Sequence, residues 1–233
     1  MLLDASVVID YFITDPRKAR SSERINTIVE AVRKRAVDEV VLLVPNVCIP
    51  EVFGAFAKHA LSTWNRQSLR LDRRRYRTLQ DAFRRYLHNG AVFQQYELTR
   101  YHVLATDLIA PVDHWYRLQH RNARPMGAID HLVLAMGVSL CRLNGHDAVA
   151  ILTSDARMSR AVRRAKSLNA NQTAALNLLG RAAELGYRWR PEIYPRVIDL
   201  QRAPDSTLRD LFSEWPLPMR SPRGIEPRAR GIR

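Results

Sequence analysis

Residues 1–12 of the chain read Met-Leu-Leu-Asp-Ala-Ser-Val-Val-Ile-Asp-Tyr-Phe. From Leu2 to Phe12 the side chains are mostly apolar and often β-branched, and the main interruptions are Asp4 and Asp10. A continuous apolar run of this kind is typical of a strand in a parallel sheet that is covered on both faces. Because a buried carboxylate is costly unless it is paired, hydrogen-bonded or bound to metal, Asp4 is the first candidate functional residue.

Further strands and helices alternate along the chain after this first stretch. Pro50 suits the first turn of a helix, since its missing N–H is not needed there. Pro125 and the Asn144-Gly145 pair bound another long helical pattern. Buried strands are predicted over residues 40–44, 148–152 and 197–200, and helices over 21–35, 127–143 and 155–166. The alternation predicts a three-layer α/β/α fold with a central, mainly parallel sheet.

The domain organisation follows from two changes in composition. We predict one domain over residues 1–200, which includes a helical, Arg-rich insertion over 62–125. The aromatic residues of that insertion are interpreted mainly as its core. Residues 201–233 are predicted to be a flexible basic tail, because the last part is rich in Arg, Pro and Gly and has little apolar surface to bury. The arginines of residues 66–85 within it are Arg66, Arg70, Arg73, Arg74, Arg75, Arg77, Arg84 and Arg85, and we expect them to guide a polyanion.

Charge and cysteine content narrow the class of protein. Lys and Arg number 37 against 23 Asp and Glu, a formal net charge of +14, which favours a nucleic-acid partner. The absence of a membrane-length apolar run and of a signal-peptide pattern favours a cytoplasmic protein with no membrane partner. Cys48 and Cys141 are too few for a disulfide framework, and the nearby His146 has no second ligand pair for zinc.

Three more acids occupy positions that resemble that of Asp4. Glu51 opens the helix after Pro50, Asp130 lies in the first turn of the 127–143 helix, and Asp155 follows a predicted strand. Each alone has a local explanation as a helix cap or as a partner of the helix dipole. In parallel α/β sheets, however, sites form at the carboxyl edge of the strands, where these acids would converge and repel one another without a cation. Oxygen ligands of this kind suit Mg²⁺ or Mn²⁺.

Four segments together resemble the PIN-domain family, and most of all its prokaryotic VapC-type ribonuclease toxins. The acids of these segments are Asp4, Glu51, Asp130 and Asp155, and the last is preceded by Thr153. The segments read Leu-Leu-Asp-Ala-Ser-Val-Val-Ile-Asp, Val-Pro-Asn-Val-Cys-Ile-Pro-Glu-Val, Ala-Ile-Asp-His-Leu-Val-Leu-Ala and Ile-Leu-Thr-Ser-Asp-Ala-Arg-Met. The resemblance covers residues 1–59 and 126–200, whereas the insertion and the C-terminal extension depart from the shorter typical toxin.

The resemblance implies a metal-dependent endoribonuclease that hydrolyses RNA phosphodiester bonds. Asp4, Glu51 and Asp130 would hold Mg²⁺ or Mn²⁺ directly or through water. Asp155 would act in an outer shell or on a second ion, and Thr153 would supply a hydroxyl near the metal. It further implies a homodimer and, for a toxin, an antitoxin partner that inserts a basic side chain among the acids.

Two other classes of function stay open. One is a non-catalytic RNA-binding PIN module or RNA-processing factor, which would use the charge alone. The other is a different α/β phosphoryl-transfer enzyme, but an aspartyl phosphatase would want Asp-x-Asp where Ala5 and Ser6 follow Asp4, and no P-loop motif is present. Asp10 is interpreted as structural, and His131 is not assigned as a general base because it should point to a different helix face from Asp130.

Overall fold

The computed structural model describes residues 1–37, 39–62, 73–88, 90, 92–120 and 124–217. Within these ranges the strands are β1 (Leu2–Leu3), β2 (Leu42–Pro45), β3 (Phe93–Tyr96), β4 (Ala150–Thr153) and β5 (Arg196–Asp199). The helices are α1 (Ala5–Phe12), α2 (Ala19–Arg33), α3 (Ile49–Ser62), α4 (Arg73–His88), α5 (Arg100–Ala105), α6 (Ala110–Gln119), α7 (Ala128–Asn144), α8 (Ala156–Lys166), α9 (Ala170–Ala175), α10 (Leu178–Glu184) and α11 (Asp205–Phe212).

The described strands form one parallel sheet in the order β3-β2-β1-β4-β5. Leu2 of β1 pairs with Leu43 of β2 on one side and with Ile151 of β4 on the other. The chain therefore builds the sheet outward from β1 to β3, returns, and continues from β4 to β5. The order reverses between β1 and β4, so the carboxyl ends of these two strands lie side by side.

Helices cover both faces of this sheet, which confirms the predicted three-layer α/β/α fold. Helices α1 to α4 pack against one another on one face, and α5 to α8 pack together on the other. This division follows from right-handed crossovers, because connections that run in opposite directions along a sheet lie on opposite faces. Double coverage explains the apolar strands: Leu2, Leu42 and Ile151 are fully buried.

An aromatic cluster packs the Arg-rich helix α4 against α1 and α3. Phe12 of α1 makes edge-to-face contacts with Phe56 and Phe83, at centroid distances of 5.7 and 5.6 Å. The hydroxyls of Tyr11 and Tyr86 are 2.8 Å apart. The interpretation of the described aromatic residues as core is confirmed for Tyr86, whereas Trp64 lies outside the described residues.

The strand predicted over Leu2 to Phe12 is wrong beyond Leu3. The chain turns directly into α1, and the backbone amides of Val7 and Val8 donate to the carbonyl of Asp4 at 3.2 and 3.3 Å. Val7 and Val8 are fully buried in that helix. A short apolar run fits a buried helix as well as a buried strand, so its periodicity could not separate them.

Residues 62–125 contain the predicted helices but also a strand that was not predicted. Helices α4, α5 and α6 lie in this range, and β3 pairs with β2 at the edge of the sheet. Gln94 and Gln95 are exposed in β3. Polar side chains suit an edge strand, and they leave it without the apolar pattern by which the inner strands were recognised.

The flexible tail predicted over 201–233 is wrong for residues 205–212, which form α11. Leu208 of that helix is fully buried. The buried guanidinium of Arg24 donates to the carbonyls of Leu200 and Ala203, at 2.8 and 2.7 Å, and pairs with Asp205. The folded part of the chain therefore continues past residue 201, and residues 218–233 lie outside the described part. No helix among the described residues is long and apolar enough to cross a membrane.

Candidate active site

Asp4 lies directly after β1, at the point where the strand order reverses. Its side chain is only 4% exposed. The hydroxyl of Thr153 donates to its Oδ2 at 2.9 Å, and the hydroxyl of Ser6 donates to the same oxygen. The backbone amide of Ser6 is a third donor to this carboxylate, so Asp4 is held by neutral donors from the ends of β1 and β4.

The hydroxyls of Thr153 and Ser6 tie the ends of β1 and β4 together. They lie 3.2 Å apart, and each also accepts a backbone N–H, from Asp155 and Ser154 respectively, at 2.9 Å. Thr153 was predicted to lie near the acids and does so. Ser6 was missed, although a hydroxyl two residues after an acid at a strand end could have indicated it.

Burial and mutual repulsion act together on the acids of three separate elements. The pKa of Asp4 is raised first by burial and also by Asp130, although the Ser6 and Thr153 hydroxyls lower it. The pKa of Glu51, in the first turn of α3, is raised by partial burial and then by Asp4 and Asp130. Asp4, Glu51 and Asp130 are therefore close enough to affect one another's ionisation.

Asp130 is placed by the first turn of α7. Its Oδ2 accepts the backbone N–H of Gly127 at 2.8 Å, which satisfies an otherwise free amide at the helix start. The pKa of Asp130 is raised by burial, is lowered by Gly127 and Arg157, and is raised again by Asp155. The acid therefore caps its helix and also faces the other carboxylates.

Among the described residues, Asp155 has the closest cationic partner of the four acids. It caps α8 by accepting the N–H of Arg157 at 2.8 Å, and the Arg157 guanidinium binds it as well, with Nε 2.8 Å from Oδ2. Burial alone would raise the pKa of Asp155, but the hydrogen bonds from Arg157 outweigh burial and leave it below its usual value.

Arg157 also reaches the neighbouring segment that starts α7. Its guanidinium lies 3.6 Å from Oδ2 of Asp130 and donates to the carbonyl of Pro125 at 3.0 Å. Arg157 was not among the predicted site residues, although a basic residue two positions after an N-cap Asp is placed to bind that cap. It joins the two acids on one side of the site.

The other two acids have no such partner among the described residues. No Lys, Arg or His of the described chain forms an ion pair with Asp4 or Glu51. In the same residues, no three His, Cys, Asp or Glu side chains converge closely enough to hold one metal ion directly. The arrangement is an open acidic site rather than a closed coordination cage.

Two polar residues near the motifs have structural partners instead. Asp10 accepts from Ser21 Oγ at 2.7 Å and from Lys18 Nζ at 3.2 Å, which are partners that suit its interpretation as a structural acid. His131 Nε2 lies 3.2 Å from Oδ2 of Asp113, an acid of α6 that the sequence did not single out. This contact gives His131 a partner away from the carboxylate cluster.

The described part of the Arg-rich segment begins at the far end of α3. Arg75 lies close enough to His59 to lower the pKa of that imidazole, after the larger effect of burial. His59 is eight residues beyond Glu51 on the same helix, a distance of about 12 Å at roughly 1.5 Å per residue. Arg66 and Arg70 lie outside the described residues.

The fold and the geometry together define a class: a parallel α/β protein with an acidic site at the switch point of its sheet. No family model matches the chain, and no curated protein or solved structure matches it either.

Proposed function

We propose that this chain is a divalent-metal-dependent endoribonuclease of the PIN type. One observation carries the proposal. Asp4, Glu51, Asp130 and Asp155 come from four distant segments, lie at the carboxyl edge of one sheet and affect one another's ionisation. An acidic cluster in a chain of net charge +14 is a local exception to the overall charge. That contrast fits a site for a cation and a polyanionic substrate.

The residues fit Mg²⁺ or Mn²⁺ in a partly hydrated form. Mg²⁺ usually keeps several waters and is bound through one or two carboxylates together with substrate phosphate. Asp4 has only neutral hydrogen-bond donors and no ion-pair partner among the described residues, and Asp130 and Glu51 act on it electrostatically. When bound, such an ion neutralises phosphate charge and lowers the pKa of water.

The side chains of this site would each have a definite part in hydrolysis. Ser6 and Thr153 orient Asp4 by donating to its Oδ2. Asp130 and Glu51 add negative charge that retains the ion, and Asp155, held by Arg157, contributes from the outer shell. The Arg157 guanidinium, next to both acids, is in a position to contact an RNA phosphate.

The biological setting is proposed from the resemblance alone. A VapC-type role would make this chain the toxin of a toxin–antitoxin pair, neutralised by a partner protein. A small antitoxin gene beside the coding sequence would support that role, and its absence would favour an RNA-processing enzyme.

A cleavage assay tests the proposed chemistry. The purified chain should cut single-stranded RNA with Mg²⁺ or Mn²⁺, and EDTA should stop the cutting. Asp4→Asn and Asp130→Asn should each reduce the rate at least about a hundredfold, because each removes charge that holds the ion. The matched control is Asp147→Asn, an exposed acid that precedes β4 at the opposite edge of the sheet and should cut at the wild-type rate.

Robust cutting by Asp4→Asn or Asp130→Asn would contradict this site.

The second candidate function is a non-catalytic RNA-binding module. It is favoured by the ion pairs of Arg157, which already supplies a cation to Asp155 and Asp130. A binding module should bind RNA but not cut it at any concentration of either metal ion, whereas a ribonuclease should both bind and cut it.

A further inference from the structure

An open pocket of about 470 Å³ lies beside the acidic site, on the side of Asp155. Side chains from separate segments of the chain line it. The cationic ones are Lys18, Arg124, Arg157, Arg160 and Arg202. Ser6, Ser154 and Asp155 line it as well. Ser6 and Asp155 therefore belong both to the pocket and to the acidic site.

Lys18 is held in position at this pocket. Its ammonium lies 3.2 Å from Oδ1 of the buried Asp10 and 3.1 Å from Oγ of Ser154. Asp10 thus anchors a positive charge next to the loop that follows β4. An ammonium oriented in advance loses little side-chain entropy when it meets an anion.

The arginines around Lys18 are largely uncompensated. Arg124 and Arg160 are exposed and form no ion pair with any described residue. Arg202 is 67% exposed, and its nearest acid is Asp199 at 3.9 Å. Positive charges that face one cavity repel each other, and an anion bound between them relieves that repulsion.

The Arg-rich helix α4 lies along α3 instead. Arg75 in its first turn lies near His59, and Arg84 near its other end lies over the ring of Phe53, 5.8 Å from the centroid, whereas the pocket itself includes Asp155 and Ser6. A nucleic-acid strand with one phosphate in the pocket would have its neighbouring phosphate next to the carboxylates.

We propose that this pocket is a phosphate-binding subsite for the backbone of single-stranded RNA, next to the bond that is cut. The inference rests on the proposed function and deepens it, because it states where the substrate strand enters. Arg124, Arg160 and Arg202 contact the phosphate, and Lys18, anchored by Asp10, adds a fixed positive charge.

Binding in EDTA tests the subsite separately from cutting. A fluorescein-labelled single-stranded RNA would be titrated with the wild-type chain, with Arg160→Gln/Arg202→Gln, and with Arg188→Gln/Arg190→Gln. The last pair is exposed, precedes β5 at the opposite edge of the sheet and lowers the net charge equally. The pocket pair should weaken binding about tenfold at low salt. It should also reduce the salt slope by roughly 1.4, at roughly 0.7 for each lost phosphate contact.

The opposite-edge pair should leave that slope unchanged. Arg124→Gln, from a different segment, should reduce it by roughly 0.7. Equal effects of the two pairs, or an unchanged slope in the pocket pair, would overturn the subsite even if the wild-type chain cuts RNA. Pocket-dependent binding without metal-dependent cutting would leave the subsite standing and overturn the ribonuclease. A DNA oligonucleotide that binds as tightly and as pocket-dependently as the RNA would overturn the choice of RNA.

Discussion

At the residue scale, Asp4 and Asp10 are two buried acids of one short segment with opposite surroundings. Asp10 has an ammonium and a hydroxyl as partners, whereas Asp4 has two hydroxyls and a neighbouring acid. Burial and the charge of Asp130 raise the pKa of Asp4, and its two hydroxyl donors offset this only in part. This difference marks Asp4 as the acid that lacks a cation.

Neutralising Asp4 and neutralising Asp10 should change the free energy of unfolding in opposite directions. The folded-state pKa of Asp4 is raised, so its ionisation costs stability at neutral pH, and that cost disappears as the pH falls below the ordinary value of 3.8. In EDTA at pH 7, Asp4→Asn should raise the free energy of unfolding by on the order of 1 kcal/mol. The gain should vanish near pH 3 to 4 in urea titrations.

The matched control is Asp10→Asn, which leaves Lys18 without its acid and should lower the free energy of unfolding at pH 7. A less stable Asp4→Asn at neutral pH would contradict the idea that Asp4 is an unfavourable buried charge.

Arg157 provides a second residue-scale prediction. Its guanidinium binds Asp155 and lies 3.6 Å from Asp130, so it repels any cation that approaches those acids. Arg157→Gln should therefore lower the Mg²⁺ concentration at which the melting temperature is half raised, by roughly three- to tenfold for a loss of about 1 kcal/mol of repulsion. Arg163→Gln, two turns along α8, should leave that concentration nearly unchanged. A higher Mg²⁺ requirement for Arg157→Gln would mean that Arg157 orders the acids rather than competing with the ion.

At the element scale, α7 carries Asp130 and must pack closely on β4 to bring it to the site. The absence of a side chain at Gly137 allows this close packing. A Cβ there would lie 2.8 Å from Cδ1 of Ile151 and 2.9 Å from the ring of Pro195. The proline ring cannot move aside as a flexible side chain would. The position of Asp130 thus depends on a small residue two turns further along its helix.

Two glycine substitutions test this packing. Gly137→Ala should lower the free energy of unfolding by about 1–3 kcal/mol, because it overpacks the interface between α7 and β4. Gly54→Ala in α3 is the matched control, since a Cβ there meets nothing within 4 Å. It should raise the free energy of unfolding by about 0.5–1 kcal/mol through better helix propensity. Thermal melts in which both variants shift in the same direction would contradict the close approach.

The elements differed in how far their sequence could reveal them. Helix α7 and strand β4 were predicted within two residues because their apolar patterns are long or continuous and their ends carry clear stop signals. Strand β3 was missed because its Gln94 and Gln95 face solvent at the sheet edge. Helix α1 was predicted as a strand because side chains on more than one face of it are buried. It therefore lacks the continuous polar face that identifies a surface helix.

At the scale of the whole molecule, the resemblance to VapC-type proteins predicts a homodimer. Helix α5 exposes Tyr101, Val103 and Leu104, and Tyr101 and Leu104 lie three residues apart on one side of that helix. Light scattering at micromolar concentration should give twice the chain mass of 26.8 kDa. Leu104→Asp should shift the protein to the monomer, because it places a charge in an apolar contact.

The control for the dimer is Leu143→Asp at the end of α7, a leucine that is even more exposed than Leu104 and belongs to a different helix, which should leave the mass unchanged. A wild-type chain that stays monomeric across micromolar concentrations would contradict the homodimer, and a dimer that survives Leu104→Asp would place the contact away from α5.

The local pattern of the chain was enough to predict an α/β protein with a parallel sheet and to mark Asp4, because a carboxylate interrupts an apolar strand pattern there. Glu51, Asp130 and Asp155 were selected by their shared place at strand ends and helix starts, and Thr153 only by the resemblance to the PIN family. The tertiary structure alone decided that β1 lies beside β4, so that residues 149 positions apart, Asp4 and Thr153, share a hydrogen bond. It also decided that Arg157 spans two of the acids and that Lys18, Arg124 and Arg202 meet in one pocket. Strand order and contacts between distant segments depend on how the layers pack against each other, and the spacing of residues within one segment carries no record of that packing.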